Sequence, residues 1–476
     1  MRNSSDENVQ LVTPAKPIET APKKKKVRGP KPKNWQPKQQ KSKGGPAVKA
    51  ERVPQLCYQQ VLQTKVQHAR AGLPQHTPAV AAARLCVPRE SEPAARRVPK
   101  TTFLARLGKV PSRRSSYVFN LRDDGVAGVL ESLMARYGRG TNSSFLDATY
   151  NVYIREDKEA AVCFKVSNGV AIMYGDPLCA ADQLGCVFEA FRQFCKEHGW
   201  RMAVVGCGLP LATHARARRW KSMEVATEQV LNPQTNPILE ETGGKTICRV
   251  NRKLHKEGVR LHVYDPAAGG IDAELQAQLL ALYDDWRAGH AQRNRPASYS
   301  AVIDPFALPG VSRYLYTVDG AGQPNSFAGL IRLGARNGAL LEPCIAAPAA
   351  PRNTTDFLAT MALGLLRDEG GGYMTFGVEA LPQLGAVAGL PFPGVARRLY
   401  RAAFDALALD GRRAFHEKFR PDESQRGALF MLFPPGRPRV GVARAVLDVS
   451  HVSAREVWRR ARAMKKGDDA AGAAAT

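Results

Sequence analysis

The chain repeats one order of predicted elements, and this repetition limits its fold more than any other feature. The first copy opens with the segment 126–138, where apolar residues recur at helical spacing and stop at a glycine. The copy continues through strand candidates 150–154, 160–166 and 169–175, helix 183–198, and strands 201–206 and 223–231. Charged residues or an Asn-Gly step separate the first three strands, which indicates an antiparallel meander.

A second copy of the same order follows. It contains helix 272–288, strands 312–318, 325–334 and 338–346, helix 353–368 and strand 373–377. Helix, three antiparallel strands, helix and strand is the layout of acetyltransferase-like (GNAT-like) domains. The sequence therefore predicts an α+β fold of two tandem lobes, with mixed antiparallel sheets and flanking helices.

The basic charge of the chain has two sources. Its 476 residues hold 69 Lys and Arg against 43 Asp and Glu, a net charge of +26, and residues 1–100 alone hold 21 against 6. That first segment is rich in Pro, Lys, Gln and Ala and has no sustained period, which predicts a disordered basic arm. The predicted lobes then occupy 101–240 and 241–455, and 456–476 form a C-terminal tail.

No run of 18 apolar residues and no signal peptide is found, so a cytoplasmic protein is expected. The run PKKKKVRGPKPK at 22–33 fits a nuclear-localisation signal, an arm that attracts phosphate, or a contact with anionic lipid. The nine cysteines are scattered and never spaced as CxxC. Neither a zinc site nor a disulfide framework is expected from them.

Two nucleotide-like motifs fail. The GGKT at 243–246 resembles the end of a P-loop, but Leu239 stands where the first glycine is required. The segment Arg367-Asp-Glu-Gly370-Gly-Gly372 resembles the pyrophosphate loop of acyl-CoA enzymes, but it lies where a helix ends before a strand, so its glycines fit a helix C-cap. Coenzyme A is disfavoured, and no cofactor or metal is expected.

A basic face distinguishes the predicted helix 243–257. At 100° per residue, its cations fall within about a third of the circumference, opposite Ile247, Val250 and Leu254. They are Lys245, Arg249, Arg252, Lys253 and Lys256. The face fits a solvated surface helix or a contact with a phosphate backbone, and the second interpretation gains from the absence of a balancing acid, since Glu257 is off the centre of the stripe.

Polar residues also collect at strand ends of the second repeat. Glu342 lies inside an apolar strand and Glu379 at the end of another, and a buried carboxylate there needs a cation partner. Arg352 and Asp356 flank the next helix start, where an acid is also common for purely structural reasons. Lys418 alternates with Phe415 and Phe419, which fits either an inward-pointing or a surface lysine.

At these residues the chain resembles the aminoacyl-tRNA-dependent lipid aminoacyltransferases, that is, the soluble domain of bacterial phosphatidylglycerol lysyl- and alanyltransferases and its fungal relatives. The likeness covers roughly residues 110–455. It is carried by Gly175-Asp176-Pro177-Leu178, Gly244-Lys245-x3-Arg249-x2-Asn251-Arg252-Lys253, Glu342 with the helix start Pro351–Asp356, and Phe376-Gly377-Val378-Glu379-Ala380-Leu381.

The chain resembles the fungal free-standing ergosteryl amino-acid ester synthases more closely than the bacterial members. The similarity lies in Glu228-x-Val230-Leu231-Asn232-Pro233-x-Thr235-Asn236-Pro237, Asp304-Pro305-Phe306-Ala307-Leu308-Pro309, Pro343-Cys344-Ile345-Ala346-Ala347-Pro348 and Lys418-Phe419-Arg420-Pro421-Asp422-Glu423. The resemblance implies transfer of an amino acid from aminoacyl-tRNA to the 3β-hydroxyl of ergosterol. In the family that it resembles, the aspartate enzyme carries its own aspartyl-tRNA synthetase domain and the glycine enzyme stands alone. Because this chain has no room for a synthetase domain, the resemblance implies glycine as the amino acid.

The resemblance also implies roles for particular residues. Glu342, Lys418 and Arg352 would serve catalysis, and Asp176, Asp356 and Glu379 would bind substrate. Bacterial members carry an arginine where this chain has Ile345, and Arg352 is a candidate replacement. Lys418 fits the position of a bacterial lysine that helps hold the aminoacyl group. The basic helix would grip the tRNA.

The expected partners are aminoacyl-tRNA and a sterol drawn from a membrane through peripheral contact, by way of an apolar tunnel between the lobes. Three alternatives stay open: an aminoacyl-tRNA-dependent phosphatidylglycerol aminoacyltransferase, an acyl-CoA-dependent acetyltransferase of the same fold, and a protein that only binds nucleic acid. The sequence does not indicate an oligomeric state.

Overall fold

The computed structural model describes residues 118–240, 245–292, 303–407, 410–436, 440–450 and 452–474. The predicted basic arm, residues 1–100 with the lysine run at 22–33, lies outside the described residues.

Thirteen strands in the described part of the chain form one sheet. They are β1 (Val118–Asn120), β2 (Asn151–Ile154), β3 (Ala161–Ser167), β4 (Val170–Tyr174), β5 (Arg201–Cys207), β6 (Lys221–Leu231), β7 (His262–Tyr264), β8 (Ser312–Val318), β9 (Pro324–Leu333), β10 (Gly338–Ala346), β11 (Met374–Ala380), β12 (Val387–Ala388) and β13 (Gly427–Phe433). Every strand expected from the two repeats is present. Sequence analysis missed β1, β7, β12 and β13.

Helices cover both faces of this sheet. They are α1 (Val126–Tyr137), α2 (Leu184–Glu197), α3 (Leu209–Ala217), α4 (Lys245–Lys256), α5 (Pro266–Gly269), α6 (Ala273–Gln292), α7 (Thr354–Asp368), α8 (Pro393–Leu407), α9 (Asp410–Glu417), α10 (Val440–Val449) and α11 (Ala454–Ala474). Most of the predicted C-terminal tail, 456–476, belongs to α11, whose Val457 and Ala461 pack with Ala402 of α8.

The two repeats exchange their last strands. Each repeat contributes a meander followed by a parallel partner, β2-β3-β4 with β5 and β8-β9-β10 with β11. The strand that follows the first repeat, β6, pairs antiparallel with β11 of the second, whereas β13 pairs antiparallel with β5 of the first. β6 and β13 also pair with each other, so the sheet is continuous. The predicted α+β class, with a mixed sheet and flanking helices, is confirmed.

The two parallel pairs differ in how far they extend. β4 and β5 pair along five residues, from Val170–Arg201 to Tyr174–Val205. β10 and β11 pair only at Ala339–Met374 and Leu340–Thr375, and each strand then has a register shift in its antiparallel pairing on its other side. The carboxyl-terminal parts of β10 and β11 therefore diverge. Such a crevice beyond the carboxyl ends of neighbouring strands is where open α/β sheets bind ligands.

Residues of β10 alternate between two helix layers. Leu341 and Cys344 pack in the cluster that contains α7, which defines the α7 face of the sheet. Leu340 packs with α1, and Ile345 packs with Tyr283 of α6, which defines the α6 face. The crevice is thus bordered by different helices on its two sides.

Candidate active site

Asp356 and Lys418 form an ion pair on the α7 side of the crevice. Asp356 lies in the first turn of α7, as its sequence position suggested, and its side chain is 10% exposed. The ammonium of Lys418 donates to both carboxylate oxygens, at 3.2 and 3.1 Å, and lies 5.4 Å from the centre of the Phe415 ring. Lys418 is 45% exposed, so part of its ammonium can still face a ligand.

The local structure around Lys418 differs from the expected alternation. Residues 410–417 form α9, and Lys418 lies in the turn that follows, while Phe419 is fully buried against the α7 cluster. Phe415 and Phe419 therefore hold the end of α9 and the following turn against the α7 cluster, and Lys418 lies at the surface of this turn. An inward strand position for Lys418 is wrong.

Glu379 belongs to a buried polar group on the same face. Its carboxylate accepts a hydrogen bond from Gln229 at 3.1 Å and contacts the His416 ring nitrogen Nδ1 at 2.8 Å, and His416 stacks on Phe376. Burial pushes the pKa of Glu379 upward, but the hydrogen bonds from His416 and Gln229 and the charges of His416 and Arg413 outweigh it, so the pKa lies below its ordinary value. The Arg413 guanidinium also lies 4.0 Å from this carboxylate, so the partners of Glu379 are His416 and Arg413, neither of which sequence analysis selected.

Glu342 lies on the other face of β10. It directly follows Leu341, at the register shift where the regular alternation of β10 ends, and its charge acts on the buried hydroxyl of Tyr283 in α6. Burial is the main cause that raises the pKa of Tyr283 to about 12; Glu342 raises it further and Arg287 opposes the shift. Glu342 is therefore assigned to the α6 face, whereas the Asp356–Lys418 pair lies on the α7 face.

Arg287 is the cation that the fold brings to the α6 side. Its Nε is buried and has no hydrogen-bond partner in the described structure, and its guanidinium carbon lies 5.6 Å from the Tyr283 ring centre. Arg352, proposed to replace the arginine missing at Ile345, is instead exposed in the turn before α7. Ile345 packs in the same apolar cluster as Tyr283, and Arg287 lies over the Tyr283 ring. By these contacts Arg287, and not Arg352, is the cation near Ile345. The guanidinium of Arg287 also lies 3.8 Å from the exposed carboxylate of Asp284.

Asp176 has a structural position in the first half of the sheet. Its side chain is buried and accepts two hydrogen bonds of 3.1 Å from the Gly208 backbone, directly before α3. Its backbone oxygen accepts a 2.7 Å hydrogen bond from Asn142. Burial raises the pKa of Asp176. These contacts tie the Gly-Asp-Pro-Leu turn to α3 and to residues 140–146, which explains the motif without a ligand.

The basic helix α4 presents four of the five predicted cations to solvent. Ile247 and Leu254 pack in the α7 cluster, while Arg249, Arg252, Lys253 and Lys256 are exposed. Lys245 begins the helix, and residues 243–244 lie outside the described residues. One expectation is wrong: Glu257 does balance part of this face, since its carboxylate lies 3.5 Å from the Lys253 ammonium. Both groups are well exposed, so this pair offsets little of the positive charge.

An apolar cavity of about 640 Å³ lies on the opposite side, beneath α8 and α10. Val378 and Ala380 of β11 line it, while Glu379 between them points to the α7 face. β6 and β13 contribute Val225 and Met431, so the cavity lies at the exchanged strands that join the two repeats. Its lining is apolar apart from a few groups such as Arg201, Lys221, Tyr400 and Ser450. The cavity is within the size range of small-molecule sites, about 300–1,000 Å³.

None of the described helices combines the length and the hydropathy needed to cross a bilayer.

Fold and site together define a double acyltransferase-like α+β domain. Residues 132–429, more than half of the chain, match the profile of the family described as "Phosphatidylglycerol lysyltransferase, C-terminal". The chain belongs to this family.

Individual relatives are distant. The "Lysylphosphatidylglycerol biosynthesis bifunctional protein LysX" of Mycobacterium sp. (strain JLS) is 20% identical over 259 residues, which are 52% of this chain and 23% of that protein. The protein of the same name from Nocardia farcinica is 23% identical over 197 residues, 40% of this chain and 17% of its own length. The chain thus spans about a quarter or less of the curated relatives it matches.

Two solved structures share the fold. That of L-PGS from Bacillus licheniformis superposes with a TM-score of 0.55 and 16% identity, over 70% of this chain and 97% of that one. The C-terminal domain of a putative lysylphosphatidylglycerol synthetase from Agrobacterium fabrum gives the same TM-score and identity over 68% and 95%. At 16% identity, this likeness shows the fold alone.

The Glu379–His416 contact predicts a pH dependence of stability. Because the pKa of Glu379 is below its ordinary value in the folded protein, the ionised carboxylate stabilises the fold above that ordinary value, and this contribution is lost as the pH falls through the folded pKa. The stability difference between wild type and Glu379→Gln, measured by denaturant unfolding, should stay constant down to about pH 5 and shrink as the pH falls further, towards about pH 3. A difference that is constant with pH would contradict the assignment.

Proposed function

We propose that the protein transfers an amino acid from aminoacyl-tRNA to the hydroxyl group of a membrane lipid. The observation that carries the proposal is the crevice between β10 and β11: charged residues border it on the α7 face, and the apolar cavity reaches β11 on the other face. A hydrophilic donor and a lipid acceptor could then approach the same point from opposite sides of the sheet. Membership of the phosphatidylglycerol lysyltransferase C-terminal family supports this chemistry.

The donor would use the α7 face. Helix α4, which carries the exposed cations, packs directly on α7. The Asp356–Lys418 ion pair lies at the start of α7. A tRNA backbone held along α4 would place its acceptor end near the amino end of α7. There Asp356 could hold the α-ammonium of the amino acid, and Lys418 could face the carbonyl oxygen or the terminal phosphate.

The reaction would be a transesterification. The lipid hydroxyl attacks the aminoacyl carbonyl, the new ester bond forms, the bond to the terminal ribose oxygen breaks, and the hydroxyl proton passes to that oxygen. Since the aminoacyl ester is already activated, positioning can supply much of the acceleration, with effective molarities of about 10⁵–10⁸ M for well-oriented groups. Glu342, Tyr283 and Arg287 do not line the cavity; in this proposal they would orient the hydroxyl from the α6 side of the crevice.

We propose a sterol as the acceptor and glycine as the amino acid, following the resemblance to the ergosteryl amino-acid ester synthases. The cavity supports a rigid apolar acceptor because its lining is largely aliphatic and aromatic. Phosphatidylglycerol is the second candidate, because the family description names it and because Arg201 and Lys221 in the lining could meet a phosphate.

Acyl-CoA chemistry is less compatible with the site. The turn from β10 to α7, residues 347–353, contains no glycine, and the first turn of α7 carries the buried acid Asp356. A pyrophosphate at that helix start would meet a carboxylate instead of a cradle of backbone N–H groups. The segment Arg367–Gly372 closes the far end of α7, where Gly370 has the positive φ of 73° that a helix C-cap requires.

The activity can be tested with preformed aminoacyl-tRNA. Labelled glycyl-tRNA should give a labelled lipid with ergosterol-containing vesicles, and pretreatment with RNase should abolish it. Lysyl-tRNA with phosphatidylglycerol vesicles tests the second acceptor. If no acceptor is labelled with any of the twenty amino acids, the proposed function is wrong.

Variants within this assay test the site. Lys418→Ala and Arg287→Ala should each lower kcat/KM at least about tenfold, because each removes a cation from one border of the crevice. Arg352→Ala is the matched control and should change kcat/KM less than about twofold, since Arg352 is exposed. Thermal unfolding checks that the variants fold. Equal effects of Arg287→Ala and Arg352→Ala would contradict the assignment of Arg287.

Neutralising α4 tests the proposed binding of tRNA to this helix. The double variant Arg249→Gln and Lys256→Gln should weaken tRNA binding and reduce the log–log salt slope by about 0.7–0.9 for each phosphate that is no longer neutralised. Replacing two exposed arginines on the far side of the first repeat, Arg192 and Arg218, gives a control with the same change in net charge. An unchanged slope in the α4 variant, measured by filter binding across salt concentrations, would exclude this helix.

A further inference from the structure

The apolar cavity opens at a rim of exposed apolar side chains. Phe392 and Val395, at the start of α8, both line the cavity and are 69% and 49% exposed. Across the opening, Pro435 and Ala443 also line the cavity and are exposed. Val440, the first residue of α10, is 85% exposed. We call residues 390–396 together with 434–436 and 440–443 the cavity rim.

Such a rim is unusual for a surface bathed only by water. Single exposed apolar side chains are common, but several of them around one opening mark a surface that contacts a membrane, a protein or a ligand. Here the rim is continuous with a cavity whose interior is itself apolar. An apolar molecule passing from the rim into the cavity would remain in apolar surroundings throughout.

The charge near the rim is mainly positive. The helices α8 and α10 hold four arginines, Arg397, Arg398, Arg401 and Arg444, against Asp405 and Asp448, and Asp448 lies 3.9 Å from Arg444. Arg397 and Arg401 on α8 and Arg444 on α10 are exposed. Arginines that surround exposed aromatic and aliphatic side chains match the two layers of an anionic bilayer surface, phosphates outside and acyl chains beneath.

We infer that the cavity rim is the surface by which this protein docks on an anionic lipid bilayer, with Phe392 and Val395 inserted below the headgroups and the arginines on the phosphates. The inference rests on the proposed function, which requires that a lipid enter the cavity. It adds which surface faces the membrane: the ends of α8 and α10, away from the exposed cations of α4. Docking in this orientation leaves the α7 face open to a nucleic acid.

Vesicle binding tests the inference without catalysis. The full chain is sedimented with vesicles of phosphatidylcholine containing one third phosphatidylserine. Phe392→Asp should weaken binding at least about tenfold, since it removes apolar burial and adds a charge that anionic lipids repel. Ile271→Asp is the matched control, because Ile271 is also strongly exposed, at 68%, and lies outside the rim. It changes the net charge equally and should bind as the wild type does.

Insertion can be measured separately from attraction by charge. Phe392→Trp should show more quenching by vesicles with brominated acyl chains than the wild type, whereas Ile271→Trp should not. The chain already holds five tryptophans, one of them Trp35 in the basic arm, so the difference from the wild type is what reports the depth of position 392. Equal vesicle binding of the two Asp variants, or no quenching at position 392, would overturn the inference.

The outcome is distinguishable from failure of the proposed function. A detergent-dispersed acceptor does not need a docking surface, so Val440→Asp, at an exposed rim residue that does not line the cavity, should retain transfer to it while transfer to vesicles is abolished. If transfer is absent for every protein but quenching at position 392 is found, the docking surface stands and the proposed activity falls. If transfer is found without quenching at position 392, the proposed activity stands and the docking surface falls.

Discussion

The pairing of β6 with β13 is the interaction on which the rest of this structure depends. Each of these strands completes the sheet of the other repeat, so neither half of the sheet is whole without its partner. The side chains of β6 and β13 on one face of the sheet form part of the wall of the apolar cavity. Along its other edge, β6 pairs with β11 and fixes the position of that strand. The crevice between β10 and β11 is therefore fixed at a point where both repeats contribute.

This arrangement gives the site two different environments across one sheet. On the α7 face the groups are polar and paired: Asp356 with Lys418, and Glu379 with His416. Burying these carboxylates without partners would cost several kcal/mol each, so removing either partner alone would destabilise the fold. On the other face the cavity is apolar up to Val378. A carrier nucleic acid and a lipid are substrates of opposite polarity, and the sheet keeps their approaches separate.

Local patterns were sufficient to predict most of the fold. Periodicity and turn signals predicted β8 and β10 with the bounds found, and the repeated order predicted the α+β class. The strand exchange was beyond such reasoning, because β13 follows its sheet neighbours β5 and β6 by about two hundred residues. Helices α8 to α11 were also missed, and with them the cavity rim.

The site could be predicted only as a set of residue types. Lys418 and Asp356 were selected separately, and their contact depends on how α9 packs against α7. Glu342 was grouped with them by sequence, but its action on Tyr283 assigns it to the opposite face. His416 and Arg287 carried no recognisable motif. Their environment arises from tertiary packing on β11 and α6, which sequence spacing does not contain.

Hydrogen–deuterium exchange with each substrate separately tests the central claim, that donor and acceptor reach one crevice from opposite faces. The account predicts that aminoacyl-tRNA protects amides of α4 and of residues 347–356, whereas acceptor vesicles protect α8 and the start of α10. Protection of β11 near residues 376–380 should appear with either substrate. Protection of the same face by tRNA and by lipid vesicles would contradict the account.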